Sequence, residues 1–215
     1  MDGGYYQERG VIGAPKTLIL ELPIEGYAEK TVVLDQRILQ ARTLWDSGWG
    51  RGRFPSFEVY LMTIPQIPVL PFDGRFVVPI LVDISMRLPD ACRLLGIEFG
   101  GEESVFTIPP SRAPDAEIYW MWVNLNPGNR GCAPYRVVQI HSTFERALIA
   151  YEGIALAAHY PQLLCADTTL CLAGSRLCSY PTYCACLLMV EGQPTLGVTE
   201  YCAEGITQET LLRWG

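Results

Sequence analysis

Glycine and proline divide this chain into short segments. There are 20 glycines and 16 prolines among 215 residues, and turn signals such as Phe72-Asp73-Gly74 and Asn126-Pro127-Gly128 separate the apolar runs. Short strands joined by turns, with few helical segments between them, are typical of an α+β fold with a mixed or antiparallel sheet. We therefore predict a single compact α+β domain with two or three helices, which could consist of two subdomains.

The predicted strands share alternating or β-branched apolar residues. They are Thr17–Glu21, Thr31–Leu34, Phe57–Met62, Phe76–Ile84, Ser104–Ile108, Ile118–Leu125, Val137–Ile140 and Cys184–Val190. A cluster of prolines at positions 109, 110 and 114 marks a soft boundary. We therefore divide the chain into an N-terminal α+β part, residues 1–110, and a C-terminal part, residues 111–215.

Apolar residues at helical spacing predict three helices. Asp35 can cap the first, whose apolar residues recur three and four positions apart: Ile38, Leu39, Ala41, Leu44 and Trp45. The second, Leu88–Leu95, carries Pro89 in its first turn, where proline is tolerated. The third is the strongest. It covers Thr143–His159, and Pro161 ends it. Ser142, just before the helix, and Glu145, in its first turn, have the spacing of a capping box.

The charge balance restricts the class of partner. Apolar residues make up 49% of the chain, which excludes a disordered protein because there is ample apolar surface to bury. The net charge of −7 disfavours nucleic acid and anionic membranes as partners. The start of the chain lacks the pattern of a secretory signal, and no apolar run is long enough to span a bilayer. We expect a cytoplasmic chain with no membrane contact.

Eight cysteines are present, and six of them lie from Cys165 onward, so the C-terminal half is cysteine-rich. No two are spaced as C-x-x-C, the usual local signature of a structural zinc site. Cys184 and Cys186 lie two apart in a predicted strand and should share one face. Because free cysteine behaves as a small apolar residue, core packing is the favoured interpretation and a zinc-stabilised domain is an alternative.

Histidine is scarce, which restricts the catalytic hypotheses. A nucleophilic cysteine would need a base, and only His141 and His159 are available. His159 lies in the predicted last helical turn, where the helix dipole favours a protonated imidazole. Glu145, Glu152 and His159 recur every seven residues, about 10 Å apart, too far to bind one metal ion directly. This spacing favours a solvated helix face.

Two loop segments have compositions found in binding sites. Residues 45–54 combine aromatic side chains, glycines, Arg51 and Arg53, which could contact phosphates, although a solvated loop is favoured in an acidic chain. Residues 65–71 contain P-x-x-P twice, the spacing of a polyproline II ligand. We favour a buried connector for residues 65–71, because Ile67, Val69 and Leu70 are apolar.

Several sequences in the C-terminal half resemble a known family. They are the run Tyr151-Glu152-Gly153-Ile154-Ala155-Leu156-Ala157-Ala158-His159-Tyr160-Pro161-Gln162-Leu163-Leu164, then Leu172-Ala173-Gly174-Ser175-Arg176, and finally Gly192-Gln193-Pro194-Thr195-Leu196. Together they resemble an uncharacterised bacterial family, a domain of unknown function. Its members carry an E-G-[IL]-A-L-x-x-x-Y-P-x-x-L helix, a G-S-R turn and a closing P-x-L strand. The resemblance covers residues 144–197, extends less clearly back to residue 116, and implies a shared fold but no activity.

The residues of this motif are the candidate binding residues: Glu152, His159, Gly174, Ser175 and Arg176. A glycine within a helix costs about 1 kcal/mol relative to alanine, so Gly153 predicts close packing against another element. Gly174 suits a turn with positive φ. We also expect Arg176 to pair with the carboxylate of Glu152 and so fix the helix to the turn.

No complete catalytic constellation is visible. The P-loop, dinucleotide-binding and nucleophile-elbow motifs are absent, and Lys16 and Lys30 are the only lysines. The sequence therefore favours a non-enzymatic cytoplasmic domain that binds a protein partner, with no cofactor and no metal. The alternatives are a thiol-dependent enzyme, using a C-terminal cysteine with His159 or His141, and the zinc-stabilised domain.

Overall fold

The fold is an α+β arrangement of two sheets and several helices, seen in a computed structural model. The structure describes residues 29–69, 78–100, 106–107, 115–124, 132–136, 145–164, 169–200, 208–210 and 212–214. The described helices are α1 (Glu29–Asp46), α2 (Phe57–Thr63), α3 (Leu88–Leu94) and α4 (Ala150–His159), followed by a 3₁₀ turn, Pro161–Leu163. None of them is both long enough and apolar enough to cross a membrane.

The first sheet has four described strands: β1 (Val78–Asp83), β4 (Ile118–Asn124), β5 (Glu145–Ala147) and β10 (Leu212–Trp214). They lie in the order β1-β4-β10-β5. All of its pairs are antiparallel, and β1 pairs with β4 from Val78 opposite Val123 to Asp83 opposite Ile118. The C-terminal strand therefore lies inside this sheet, between β4 and β5.

The second sheet is mixed and has six strands. Its order is β2 (Glu98–Phe99), β8 (Gln193–Glu200), β7 (Tyr183–Val190), β6 (Thr169–Leu177) and β3 (Phe106–Thr107), and β9 (Gln208–Thr210) also pairs with β6. The β2–β8 and β6–β9 pairs are parallel and the others antiparallel. The predicted α+β class with mixed sheets is confirmed.

One hydrophobic core joins the helices to both sheets. Its fully buried members include Leu44 of α1, Leu81 of β1, Leu156 of α4 and Leu187 of β7. The division into residues 1–110 and 111–215 stays a prediction. Both sheets contain strands from each side of that division, since β1 pairs with β4 and β2 pairs with β8.

Most of the predicted elements that fall on described residues are confirmed. Strands β1, β4 and β7 and helix α3 lie within a residue or two of the predicted bounds, and β3 covers part of Ser104–Ile108. The strands predicted at Thr17–Glu21 and Val137–Ile140 lie outside the described residues. Helix α4 stops before Pro161, as predicted.

Two predicted strands are helical. One of them extends a predicted helix and the other forms an additional helix, so the structure contains more helices than the two or three expected. Thr31–Leu34 belongs to α1, which begins before Asp35. Phe57–Met62 belongs to α2, because the Ser56 side chain caps it by accepting a hydrogen bond from the N–H of Val59 at 3.4 Å. Phe57 and Tyr60 are the buried residues of α2, at helical spacing.

The start of α4 also differs from the prediction. The helix begins at Ala150 rather than near residue 143, and Glu145 lies in β5. Ser142 lies outside the described residues. The expected stripe of Glu145, Glu152 and His159 along one solvated helix face is therefore wrong, since Glu145 is not helical and Glu152 is completely buried.

Candidate functional site

The N-terminus of α4 brings together two of the candidate residues. The buried carboxylate of Glu152 accepts hydrogen bonds from the N–H of Ile149 at 2.8 Å and from the hydroxyl of Tyr119 at 3.0 Å. The hydroxyl of Ser175, on β6, accepts from the N–H of Ala150 at 2.9 Å. Both side chains satisfy N–H groups that a helix start leaves unpaired, so their observed role is to cap α4.

Two glycines let β6 approach α4 and the segment before it. A Cβ atom on Gly174 would lie 2.5 Å from the carbonyl oxygen of Ala147 and 2.7 Å from that of Leu148. One on Gly153 would lie 2.4 Å from both Cδ atoms of Leu172. The predicted close packing of Gly153 is confirmed. The turn predicted for Gly174 is wrong, because this residue lies within β6 and is not among the described glycines with positive φ.

Arg176 is partly exposed and opposes Cys184 on β7. The ion pair expected between Arg176 and Glu152 stays a prediction. The contact that the structure describes between β6 and the start of α4 is made by the neighbouring residue, Ser175.

His159 and Gln40 bond to the outer edge of β1, which is an edge strand of the first sheet as far as the described residues show it. The amide of Gln40 donates to the carbonyl of Pro79 and accepts from the N–H of Leu81, both at 2.7 Å. The Nε2 of His159 lies 2.9 Å from the carbonyl oxygen of Leu81. Exposed strand edges invite pairing with other chains, so these two side chains protect β1.

Burial keeps His159 neutral. Desolvation lowers the pKa of His159 to about 4, although its hydrogen bond to Leu81 favours the charged form. A carbonyl only accepts, so Nε2 carries the proton and Nδ1 is the bare nitrogen. Nδ1 is buried and has no hydrogen-bond partner in the described part of the chain. The protonated imidazole expected from the helix dipole is wrong, because desolvation outweighs the dipole here.

We expect His159 to make stability fall in mild acid. The unfolded imidazole has a pKa near 6.5 and the folded one about 4, so between these values only the unfolded chain gains the proton. Stability is complete above about pH 6.5 and is lost towards pH 4, by on the order of 2–3 kcal/mol. The measurement is urea unfolding of the wild type and His159→Gln from pH 4 to 8. The carboxyl groups titrate in both proteins, so the difference between them reports on His159. If the free energy of unfolding depends on pH in the same way in both, the neutral state assigned to His159 is incorrect.

The described cysteines are mostly buried. Cys92, Cys171, Cys184 and Cys186 are buried, Cys132 is half-buried and Cys178 is exposed, all as free thiols. Desolvation raises the pKa of Cys92 and Cys186 to about 12 and that of Cys184 to about 11. Protonated, buried thiols fit the predicted core packing. His141, Cys165 and Cys202 lie outside the described residues.

Alkylation rates should separate these thiols. Iodoacetamide reacts with thiolate, and a buried thiol whose pKa is near 11 holds about one thiolate in a thousand at pH 8. We expect Cys178 to label at least about 100-fold faster than Cys184 or Cys186 in the native protein, with peptide mass spectrometry as the readout. All thiols should react alike in urea. A buried cysteine that labels faster than Cys178 would contradict this account and would favour the thiol-enzyme alternative.

A polar cluster at the end of β1 was missed in the sequence. The buried carboxylate of Asp83 accepts hydrogen bonds from the hydroxyl of Tyr60 at 3.2 Å and from the N–H of Ser85 at 3.0 Å. The Ser85 hydroxyl also donates to it, and the Arg53 guanidinium lies 3.7 Å away. Burial first, and Asp83 second, raise the pKa of Tyr60 above its usual value. The signal was Asp-x-Ser directly after a strand, which is typical of an Asx turn.

This cluster also explains the loop of residues 45–54. Arg53 pairs with Glu117 at 3.0 Å, and Arg51 lies 3.7 Å from Asp46. Trp45 and Phe54 pack against the ring of Tyr60. Both arginines are therefore matched to carboxylates within the chain, which supports a structural role for the loop over phosphate binding.

Residues 65–69, which follow α2, are mostly exposed and so are not the buried connector that we expected, while Leu70 and Pro71 lie outside the described residues. Only Ile67 of this segment is half-buried, whereas Val69 is 91% exposed. The indole N–H of Trp120 donates to the carbonyl of Pro65 at 2.9 Å, and that of Trp122 donates to the carbonyl of Pro68 at 3.2 Å. The segment is therefore attached to β4 through two tryptophans.

The described residues contain no group of three His, Cys, Asp or Glu side chains placed to hold a metal ion. A cleft of about 240 Å³ lies between the ends of α3 and α4, and its lining is mainly apolar. No protein-family model, no curated protein and no solved structure matches this chain. The resemblance of residues 144–197 to an uncharacterised family therefore stays a prediction.

Proposed function

We propose that this chain is a cytoplasmic, non-enzymatic interaction domain that binds a protein partner. The observation that carries this proposal is the exposure of large apolar side chains on two neighbouring helices. Leu39 of α1 is 57% exposed and Met62 of α2 is 76% exposed. We call the surface formed by α1 and α2 the α1–α2 surface. Large apolar side chains exposed on a surface are typical of contact sites for partners.

Side-chain contacts hold the α1–α2 surface together. The Arg37 guanidinium, on α1, donates to the carbonyls of Leu61 and Ile64 at the C-terminal end of α2, at 2.6 and 2.7 Å. The Arg42 guanidinium lies 3.5 Å above the ring centre of Phe57. These contacts fix the two helices side by side. A preorganised surface loses less entropy on binding than a flexible one does.

The polar side chains that could serve catalysis are used in structural bonds in the described part of the chain. His159 bonds to Leu81, Glu152 caps α4, and Asp83 accepts from Tyr60 and Ser85. A thiol enzyme would need a cysteine beside a free base, and His159, the histidine among the described residues, is half-buried and already bonded to Leu81. This supports binding over catalysis.

Site-specific photocrosslinking in cells of the source organism tests the proposal. We expect p-benzoylphenylalanine at Met62 to give one defined adduct with a different protein. The same probe at Tyr180, which is 63% exposed but lies between β6 and β7, serves as the matched control. Leu39→Asp should remove the Met62 adduct without changing the melting temperature. No adduct, or the same adducts from Tyr180, would overturn the proposal.

A further inference from the structure

Two tryptophans on β4, Trp120 and Trp122, donate hydrogen bonds to the backbone of residues 65–69. Trp120 and Trp122 lie two residues apart on one strand, so both indoles project from the same face. Their N–H groups bond to carbonyls three residues apart in the chain, those of Pro65 and Pro68. We call residues 65–69 the proline strap.

The three-residue spacing is that of a polyproline II helix. Such a helix has three residues per turn and no internal hydrogen bonds, so every third carbonyl points the same way and is free to accept. The residue before each proline is restricted to extended conformations, and Ile64 has φ −78° and ψ 123°. An extended strap therefore presents the carbonyls of Pro65 and Pro68 to two neighbouring indoles.

Two apolar anchors repeat with the same period. Ile64 is 2% exposed and belongs to the core, and Ile67 packs against that core while half-buried. The anchors and the accepting carbonyls thus form two Ile-Pro units, three residues apart. Extended proline segments are recognised by aromatic surfaces through this combination of apolar side chains and carbonyl acceptors.

The strap is held weakly in the described structure. Its only hydrogen bonds among the described residues are those to the two indoles, and Pro65, Gln66, Pro68 and Val69 are exposed. The sequence repeats the Ile-Pro-x-x-Pro pattern from Ile67 to Pro71. A second segment with the same pattern could therefore replace the first without any new type of contact.

We propose that Trp120 and Trp122 form a receptor for an extended, proline-containing segment of the partner, and that the chain's own proline strap occupies this receptor in the free protein. This inference rests on the proposed interaction function and names the chemistry of the partner. The tethered strap competes at an effective concentration of about 1 mM, so the receptor is open in only a fraction of molecules and the apparent affinity falls by that fraction.

The test uses a fluorescein-labelled peptide with the sequence of residues 63–71 and the full-length chain. In Ile67→Ser a strap anchor is lost, whereas Val69→Ser makes the same change at an exposed position of the strap. By fluorescence anisotropy we expect Ile67→Ser to bind the peptide at least about tenfold more tightly than the wild type. Val69→Ser should bind as the wild type does. Adding Trp122→Phe should abolish the gain.

Two results would overturn the receptor: Ile67→Ser binding no more tightly than Val69→Ser, or a gain that persists in Ile67→Ser/Trp122→Phe. If Ile67→Ser does not fold, Ile67→Ala takes its place with the same expected order. A peptide in which both prolines of the Ile-Pro units are alanine should bind more weakly. Peptide binding without a Met62 crosslink would reject the proposed function alone, and a crosslink without peptide binding would reject the receptor alone.

Discussion

Gly174→Ala should lower the free energy of unfolding by about 3 kcal/mol or more, which is a large part of the stability of a typical domain. The new methyl group would meet the carbonyl oxygens of Ala147 and Leu148 at 2.5 and 2.7 Å. Backbone atoms cannot turn aside as side chains do. The N–H of Gly174 also donates to the carbonyl of Leu148 at 2.8 Å, so moving β6 away would weaken this bond as well.

Two other glycine-to-alanine variants serve as controls when the free energy of unfolding is measured in urea. Gly52→Ala should change stability by no more than about 0.5 kcal/mol, because nothing lies within 4 Å of its Cβ position. Gly153→Ala should fall between the two, since the side chain of Leu172 can move and alanine favours the helix. If Gly174→Ala unfolds at the same urea concentration as Gly52→Ala, the close approach of β6 to Leu148 is incorrect.

Sequence patterns predicted the elements whose signals are local. Strands β1 and β4 show apolar runs between turn signals, and α3 shows a proline in its first turn. Segment Thr31–Leu34 misled the prediction because β-branched residues favour strands only weakly. It continues into the helix that carries Gln40, whose burial comes from its bonds to β1.

The candidate residues were selected because they belong to the motif, whereas the structure shows two of them capping α4. Glu152 and Ser175 do contact the same helix start, yet Glu152 interacts with Tyr119, 33 residues earlier, and Ser175 with Ala150, 25 residues earlier. Contacts across such separations depend on strand register, which one sequence does not specify. The same limit hid the tryptophan contacts to the proline strap, which span 54 and 55 residues.

The helical periodicity also predicted poorly which residues of α1 are buried. The helical spacing predicted Ile38 and Leu39 as part of the apolar face of α1, but they are 39% and 57% exposed. The buried side contains Gln36 and Gln40 beside Ala41 and Leu44. The Gln40 amide can be buried because it bonds to the backbone edge of β1. The apolar side chains of Ile38 and Leu39 contribute to the α1–α2 surface instead.

Glu152→Ala should destabilise the protein by about 3 kcal/mol, because it removes the carboxylate that accepts from a buried N–H and from a half-buried hydroxyl. The N–H of Ile149 and the hydroxyl of Tyr119 both bond to this carboxylate, and the negative charge is also favourable at a helix N-terminus. Glu152→Gln keeps the volume and one acceptor, so we expect about half of that loss. Urea unfolding should show a lower midpoint with an unchanged slope.

A double-mutant cycle with Tyr119→Phe identifies the source of the loss. Removing the hydroxyl alone should cost about 1 kcal/mol, and most of this cost should disappear when Glu152 is already alanine, because the bond between the hydroxyl and the carboxylate is then already lost. Additive losses would mean that the two side chains act independently. In that case the carboxylate would stabilise α4 only through the Ile149 N–H and the helix charge, and β4 would not be tied to the helix start through Tyr119.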